Sequence, residues 1–190
     1  MRKGDKVQKN KVIILITAVF FIFSISSCVK ENSPNNTPQS EKAEIIEQSN
    51  VFAGIDAASD FSLPTLKGET LRLSSFKGKV IILNFWATWC PPCRAEIPDF
   101  IKLYNEYRNK GLVIIGLNVD TGDVDKVRNF CEKMEISYPI VLSNNEIKEA
   151  YGGIKYIPTT FIINRDGKIA KKYMGYTDFK VFETDILRLL

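Results

Sequence analysis

Cys90 and Cys93 are the residues whose types and spacing point most directly to chemistry. They lie in the run Asn84-Phe85-Trp86-Ala87-Thr88-Trp89-Cys90-Pro91-Pro92-Cys93-Arg94-Ala95-Glu96-Ile97-Pro98. Two cysteines three apart in the first turn of a helix can reach each other and close a small, reducible ring. The leading thiol then sits at the helix N-terminus, where unpaired N–H groups and the macrodipole favour the thiolate. Prolines at the first helical positions cost little, because the donors they lack would have no intrahelical partner. Such a dithiol is suited to attack a disulfide through a mixed-disulfide intermediate. Half of a zinc site is the usual competitor for Cys-x-x-Cys. Here no second pair exists, His is absent, and only Cys131 remains as a third ligand, so no metal is expected. A purely structural disulfide is the other alternative, although so short a loop restricts little chain entropy.

The chemistry needs a strand that delivers the pair and a helix that receives it. Residues 79–86 form an almost continuous apolar, β-branched run, suited to a strand buried on both faces. Residues 91–110 follow, with Ile97, Phe100, Ile101, Tyr104 and Tyr107 at helical spacing, and Gly111 closes that helix. Residues 112–120 read as a second buried strand. Residues 121–135 read as a helix with Val124, Val127, Phe130, Cys131 and Met134 on one face. A strand at 138–142 and a short helix at 145–151 come next. Strands at 159–164 and 168–174 flank the turn Arg165-Asp166-Gly167, and a final helix over 178–190 is capped by Thr177 or Asp178. Short extended pieces at 61–64 and 71–73 precede all of these. The pattern predicts a three-layer α/β domain over residues 51–190, with a mixed central sheet flanked by helices and an N-terminal β extension.

The ends of the chain have a different character. Of 26 basic and 22 acidic residues, residues 1–27 hold Arg2, Lys3, Lys6, Lys9 and Lys11 against Asp5 alone. The remainder is electrically neutral, so the basic excess makes no case for nucleic-acid binding. Residues 12–25 contain 12 apolar residues out of 14, short for a spanning helix and right for a secretory core. They end in Ile25-Ser26-Ser27-Cys28, which resembles a bacterial lipobox in which Cys28 is lipidated and becomes the new N-terminus. An uncleaved signal anchor is the alternative. Residues 28–50, rich in Asn, Ser, Pro, Glu and Gln, read as a flexible tether with a root-mean-square reach of roughly 25 Å. The body of the chain is therefore expected outside the cytoplasm, held in the cell envelope by a lipid anchor. It would face the periplasm or lie on the outer surface of the cytoplasmic membrane.

Trp86-Ala87-Thr88-Trp89-Cys90-Pro91-Pro92-Cys93, with Glu96 and Pro98, resembles the thioredoxin superfamily, specifically its membrane-tethered TlpA/ResA-type exported members. The resemblance covers about residues 55–190. Asp60-Phe61-Ser62-Leu63, Phe76-Lys77-Gly78-Lys79 and Ile157-Pro158-Thr159-Thr160-Phe161 also carry it, the last being similar to the family's cis-proline loop. It implies a thioredoxin-like fold, Cys90 as nucleophile and Cys93 as buried resolving thiol. Glu96 would then raise the thiol pKa by like-charge repulsion and relay a proton, its alternative being a solvated helix residue. Trp89, Pro91, Pro92, Ile157 and Pro158 would bind the substrate strand, and Pro98 would interrupt and kink the helix. Asn84 stands where cytosolic thioredoxin has a titratable aspartate, which moves proton management to Glu96. Trp86 is expected in the core. Cys131 is expected to be a small buried hydrophobe rather than a second redox group.

The resemblance further implies reduction of disulfides in exported proteins such as apocytochrome c. The electrons would come from a membrane donor of the CcdA/DsbD type, with no cofactor on the chain itself. Two other functions stand beside this one. A peroxide-reducing redoxin would carry Thr or Ser where Ala87 stands, and a non-catalytic binding lipoprotein would not need an intact dithiol.

Overall fold

A computed structural model of the chain describes residues 57–190. The signal peptide, Cys28 and the tether expected over residues 1–50 lie outside the described residues, as do residues 51–56.

Strand β3 (Val80–Trp86) is buried at every position. It is the middle strand of a five-stranded sheet of order β5-β4-β3-β6-β7, in which β4 is Leu112–Asn118, β5 Ile140–Leu142, β6 Thr159–Ile163 and β7 Ile169–Met174. The pairs β3–β4 and β4–β5 are parallel, while β3–β6 and β6–β7 are antiparallel, so the sheet is mixed. A separate antiparallel hairpin of β1 (Ser62–Pro64) and β2 (Thr70–Arg72) supplies the N-terminal β extension. It meets the sheet edge through Leu66 N–H donating to Ile140 O at 3.0 Å.

Alternate side chains of β3 serve two cores, which explains its almost continuous apolar run. Val80, Ile82 and Trp86 pack with Ile97, Phe100 and Leu103 of helix α1 (Pro91–Tyr107) and with Phe182 and Ile186 of helix α4 (Phe179–Leu189). Ile81, Leu83 and Phe85 pack with Phe61, Leu71 and Leu73, and with Ile147 of helix α3 (Asn145–Ala150). The one polar residue of the strand, Asn84, is buried and donates to Thr160 Oγ1 of β6 at 2.9 Å. Gly116 of β4 lets the sheet close over Trp86. A Cβ there would stand 2.4 Å from Ile140 Cδ1 and 2.9 Å from Trp86 Nε1, an indole nitrogen that is buried without a hydrogen-bond partner.

Several expectations shift in detail. Helix α1 runs on through Pro98 instead of being interrupted there, since the residues on either side keep helical pairing. It ends at Tyr107 and passes through one 3-10 turn to Gly111, whose φ of +108° suits a residue without a side chain. Helix α2 (Val124–Lys133) starts three residues later than expected. Asp123 caps it by accepting the Asp125 N–H, leaving Val124 on the exposed side while Val127 is buried. Helix α4 takes its cap from Asp178. Among the described residues no helix is long and apolar enough to cross a membrane.

Candidate active site around the Cys90–Cys93 pair

Strand β3 ends at Trp86, and after three intervening residues Cys90 caps helix α1 with extended backbone angles (φ −90°, ψ 108°). Pro91 and Pro92 occupy the first two helical positions, both exposed. Cys90 and Cys93 form a disulfide with Cα atoms 5.3 Å apart. Cys90 Sγ accepts the Cys93 N–H at 3.3 Å, so one free donor of the first turn already points at this sulfur. No acidic residue stands in that turn. Both residues are nearly covered, Cys90 3% and Cys93 2% exposed. The two are therefore distinguished by position at the helix end rather than by exposure. Opening the disulfide would leave Cys90 as the sulfur that faces the donors and the positive end of the helix dipole, the chemical signature of a stabilised thiolate.

The Ile157–Pro158 peptide is cis, and the Ile157 carbonyl oxygen lies 3.8 Å from Cys90 Sγ. The loop is held on both sides. Thr159 Oγ1 donates to Tyr156 O at 2.7 Å, and Gly175 N–H donates to Pro158 O at 2.8 Å. Pro158 is buried and Ile157 half-buried. Trp89 projects into solvent at 63% exposure, whereas Trp86 is in the core at 1%. Three more large apolar side chains are exposed beside this loop: Tyr156, Met174 and Tyr176. Tyr156 could have been read from its position next to Ile157. Met174 and Tyr176 could not, because the β6–β7 register that sets Met174 opposite Thr159 brings them there.

Glu96, one turn beyond Cys93, is fully buried. Its Oε1 accepts the Thr177 N–H at 2.8 Å, and its Oε2 has no partner. Burial pushes the carboxyl up to about 8. The Thr177 N–H opposes this shift, and the neighbouring Asp99 carboxylate adds to it. Glu96 is neither a solvated helix residue nor, at neutral pH, a standing negative charge. Most of these carboxyls keep their proton at neutral pH, which weakens the expected like-charge effect on the thiols and leaves an exchangeable proton one turn from Cys93.

Cys131 is the free cysteine among the described residues and is half-buried. With Leu66, Tyr104, Ile136, Tyr138 and Ile140 it lines a cavity of about 640 Å³, whose walls include neither Cys90, Cys93 nor Pro158. Burial, with Asp120 and Glu132 nearby, pushes its thiol up to about 12, which keeps it protonated and inert. Among the described residues no group of three or more His, Cys, Asp or Glu is arranged to hold a metal ion.

A model of the AhpC/TSA family matches residues 55–172, well over half of the sequence. The chain belongs to the AhpC/TSA family. Within it the similarity is to proteins of the ResA type. The thiol-disulfide oxidoreductase ResA of Bacillus thuringiensis subsp. konkukian is 40% identical over 119 residues, covering 62% of this chain and 68% of the relative. The protein of the same name from Bacillus subtilis is 36% identical over 132 residues, covering 66% and 73%. Among solved structures, a thiol:disulfide interchange protein of the thioredoxin family from Chlorobium tepidum TLS superposes with a TM-score of 0.66 at 33% identity, covering 70% of this chain and 94% of that one. This AhpC/TSA-family chain is thus a thiol–disulfide oxidoreductase with the thioredoxin-like fold expected from its sequence.

Proposed function

We propose that the protein is an extracytoplasmic reductase, lipid-anchored at Cys28, that reduces disulfides in exported proteins by exchange at Cys90 and Cys93. The observation that carries the assignment of the reacting pair is the Cys90 sulfur at the α1 N-terminus, accepting the Cys93 N–H and facing the Ile157 carbonyl. In the reduced protein the Cys90 thiolate attacks one sulfur of the client disulfide. That bond breaks, a Cys90–client disulfide forms, and the client's other sulfur leaves as a thiolate and takes up a proton. The Cys93 thiol then gives up its proton and attacks Cys90 Sγ, releasing the second client thiol and restoring the Cys90–Cys93 disulfide. Glu96, one turn from Cys93 with a carboxyl pushed up to about 8, takes up the Cys93 proton in its ionised form and returns it when the pair is reduced again. Trp89, Pro91, Pro92, Ile157 and Pro158 form the surface on which the client segment lies. Two electrons from a membrane donor of the CcdA/DsbD type close the cycle, and apocytochrome c is a fitting client because its cysteines must be reduced before use.

The direction is tested by equilibrating the protein with glutathione or dithiothreitol buffers. A reductase has a dithiol potential more negative than about −200 mV; a value near the −120 mV of strong exported oxidants defeats the proposal.

A further inference from the structure

Between the last paired residue of β3 and the Cys90 cap lies a turn of three residues, Ala87-Thr88-Trp89, that the sheet does not hold. Trp86 O still accepts the Val119 N–H at 2.8 Å, and there the backbone pairing with β4 stops. Beyond it the carboxylate of Asp120 takes over. Its Oδ2 accepts the Thr88 N–H at 2.8 Å, and its Oδ1 accepts the Thr88 hydroxyl at 2.8 Å. The same carboxylate accepts Asn118 Nδ2–H at 2.7 Å, while Asn118 Oδ1 accepts the Asp120 N–H at 3.1 Å. Asn118 is fully buried, and its carbonyl accepts the Ser143 N–H at 2.7 Å, so the bracket is rooted in the sheet. The turn's own bond, Cys90 N–H to Ala87 O, is long at 3.3 Å. Hydrogen bonds to an ionised carboxylate are the stronger ones here.

We infer that Asp120 is a positioning residue of the exchange reaction: braced by Asn118, it holds the Thr88-Trp89-Cys90 turn so that the Cys90 sulfur stays at the α1 N-terminus once the disulfide opens. In the oxidised protein the bond to Cys93 fixes that sulfur by itself. In the reduced protein this covalent restraint is gone, and the Cys90 backbone is kept in its capping conformation by the turn before it. The bracket therefore matters most in the state that attacks substrate. It also sets the direction in which the exposed Trp89 leaves the fold. The inference rests on exchange at Cys90, and the two are separable: a Cys90→Ser protein with undiminished exchange defeats the exchange reading, whatever Asp120 does.

The test compares full-chain Asp120→Ala and Asp120→Asn. Both lose the charge, but Asn keeps a carbonyl that can accept the Thr88 N–H, so their difference isolates the bracket from the electrostatics. Two readouts are taken on the reduced proteins: kcat/KM with a disulfide-bonded peptide, and the pH dependence of Cys90 alkylation by iodoacetamide. Loosening the turn lowers kcat/KM of the Ala variant by about tenfold or more relative to the Asn variant, the scale expected for ångström-level misplacement. It also moves the alkylation midpoint of the Ala variant above that of the Asn variant, as the thiolate loses its place at the helix end. Equal kcat/KM and equal midpoints in the two variants overturn the inference. Should Asp120→Ala not fold, Thr88→Val and Thr88→Ser carry the same test. The Val variant, without the hydroxyl bond, falls about threefold below the Ser variant, and identical behaviour of the two overturns the inference.

Discussion

Replacing Glu96 by Gln should abolish a pH dependence of stability. In the folded protein this carboxyl keeps its proton until about pH 8, whereas in the unfolded chain it ionises around 4.5. Between those values the folded state binds more protons than the unfolded one, so stability is fully present below pH 4.5 and is lost as pH rises toward 8. The loss is about 1.4 kcal/mol per pH unit across the interval, up to about 5 kcal/mol in all. That is a large share of the roughly 5–15 kcal/mol that holds an ordinary domain together. Gln cannot titrate. Its carbonyl can still accept the Thr177 N–H, but its NH₂ brings two donors to the partnerless Oε2 position where the protonated carboxyl has one, and the extra unsatisfied donor costs about 1–3 kcal/mol. Wild type should then be the more stable protein at pH 4.5 and the less stable at pH 8.5, the curves crossing between about pH 5 and 7. Urea unfolding of the oxidised proteins, followed by tryptophan fluorescence at half-unit pH steps, measures the difference directly. Stability curves that stay parallel within about 1 kcal/mol from pH 4.5 to 8.5 would refute the claim that Glu96 is held neutral.

Other perturbations have equally definite outcomes. Trp89→Ala removes an exposed side chain beside Cys90, so KM for a peptide disulfide rises about tenfold with kcat little changed, and stability stays within about 0.5 kcal/mol; steady-state kinetics separate the two constants. Gly116→Ala drives a methyl group against Ile140 and Trp86 and costs about 1–3 kcal/mol in chemical denaturation, with fold and exchange retained. With a thiol pushed up to about 12, Cys131 has about one ionised molecule in ten thousand at pH 8. Mass spectrometry after a brief iodoacetamide pulse on the reduced protein should therefore find Cys90 labelled and Cys131 untouched. Cys131→Ala should exchange disulfides at the wild-type rate.

What the sequence made legible was whatever depends on neighbours along the chain. The almost continuous apolar run through residues 80–86 announces a strand with both faces covered, and Cys90-Pro91-Pro92-Cys93 after it announces a helix start that favours a thiolate. The hairpin at 165–167 and the terminal helix are local in the same sense. What stayed hidden depends on contacts between distant segments. The burial of Glu96 is set by a loop 81 residues away, where Thr177 presents its N–H, and nothing in a helical position after Cys93 foretells it. Met174 stands opposite Thr159, next to the cis-proline, only because β7 pairs with β6 in a particular register. Asp120 falls within the expected second strand, but strand β4 ends two residues earlier, and its side chain turns back to Thr88 across 32 residues. Val124 fits the helical period of its segment yet stands at the exposed first position of α2, because the cap at Asp123 is a local hydrogen bond that periodicity does not see.

The central claim is that Cys90 exchanges disulfides with exported clients and Cys93 resolves the intermediate. Cys93→Ala, expressed in cells from the full chain, tests it most directly, because without a resolving thiol the Cys90–client disulfide cannot be released by the protein itself. The account predicts adducts that migrate as discrete species on non-reducing gels, collapse with dithiothreitol, and vanish in the Cys90→Ser, Cys93→Ala double variant. Absence of any disulfide-linked partner, or adducts that persist when Cys90 is replaced, would contradict it.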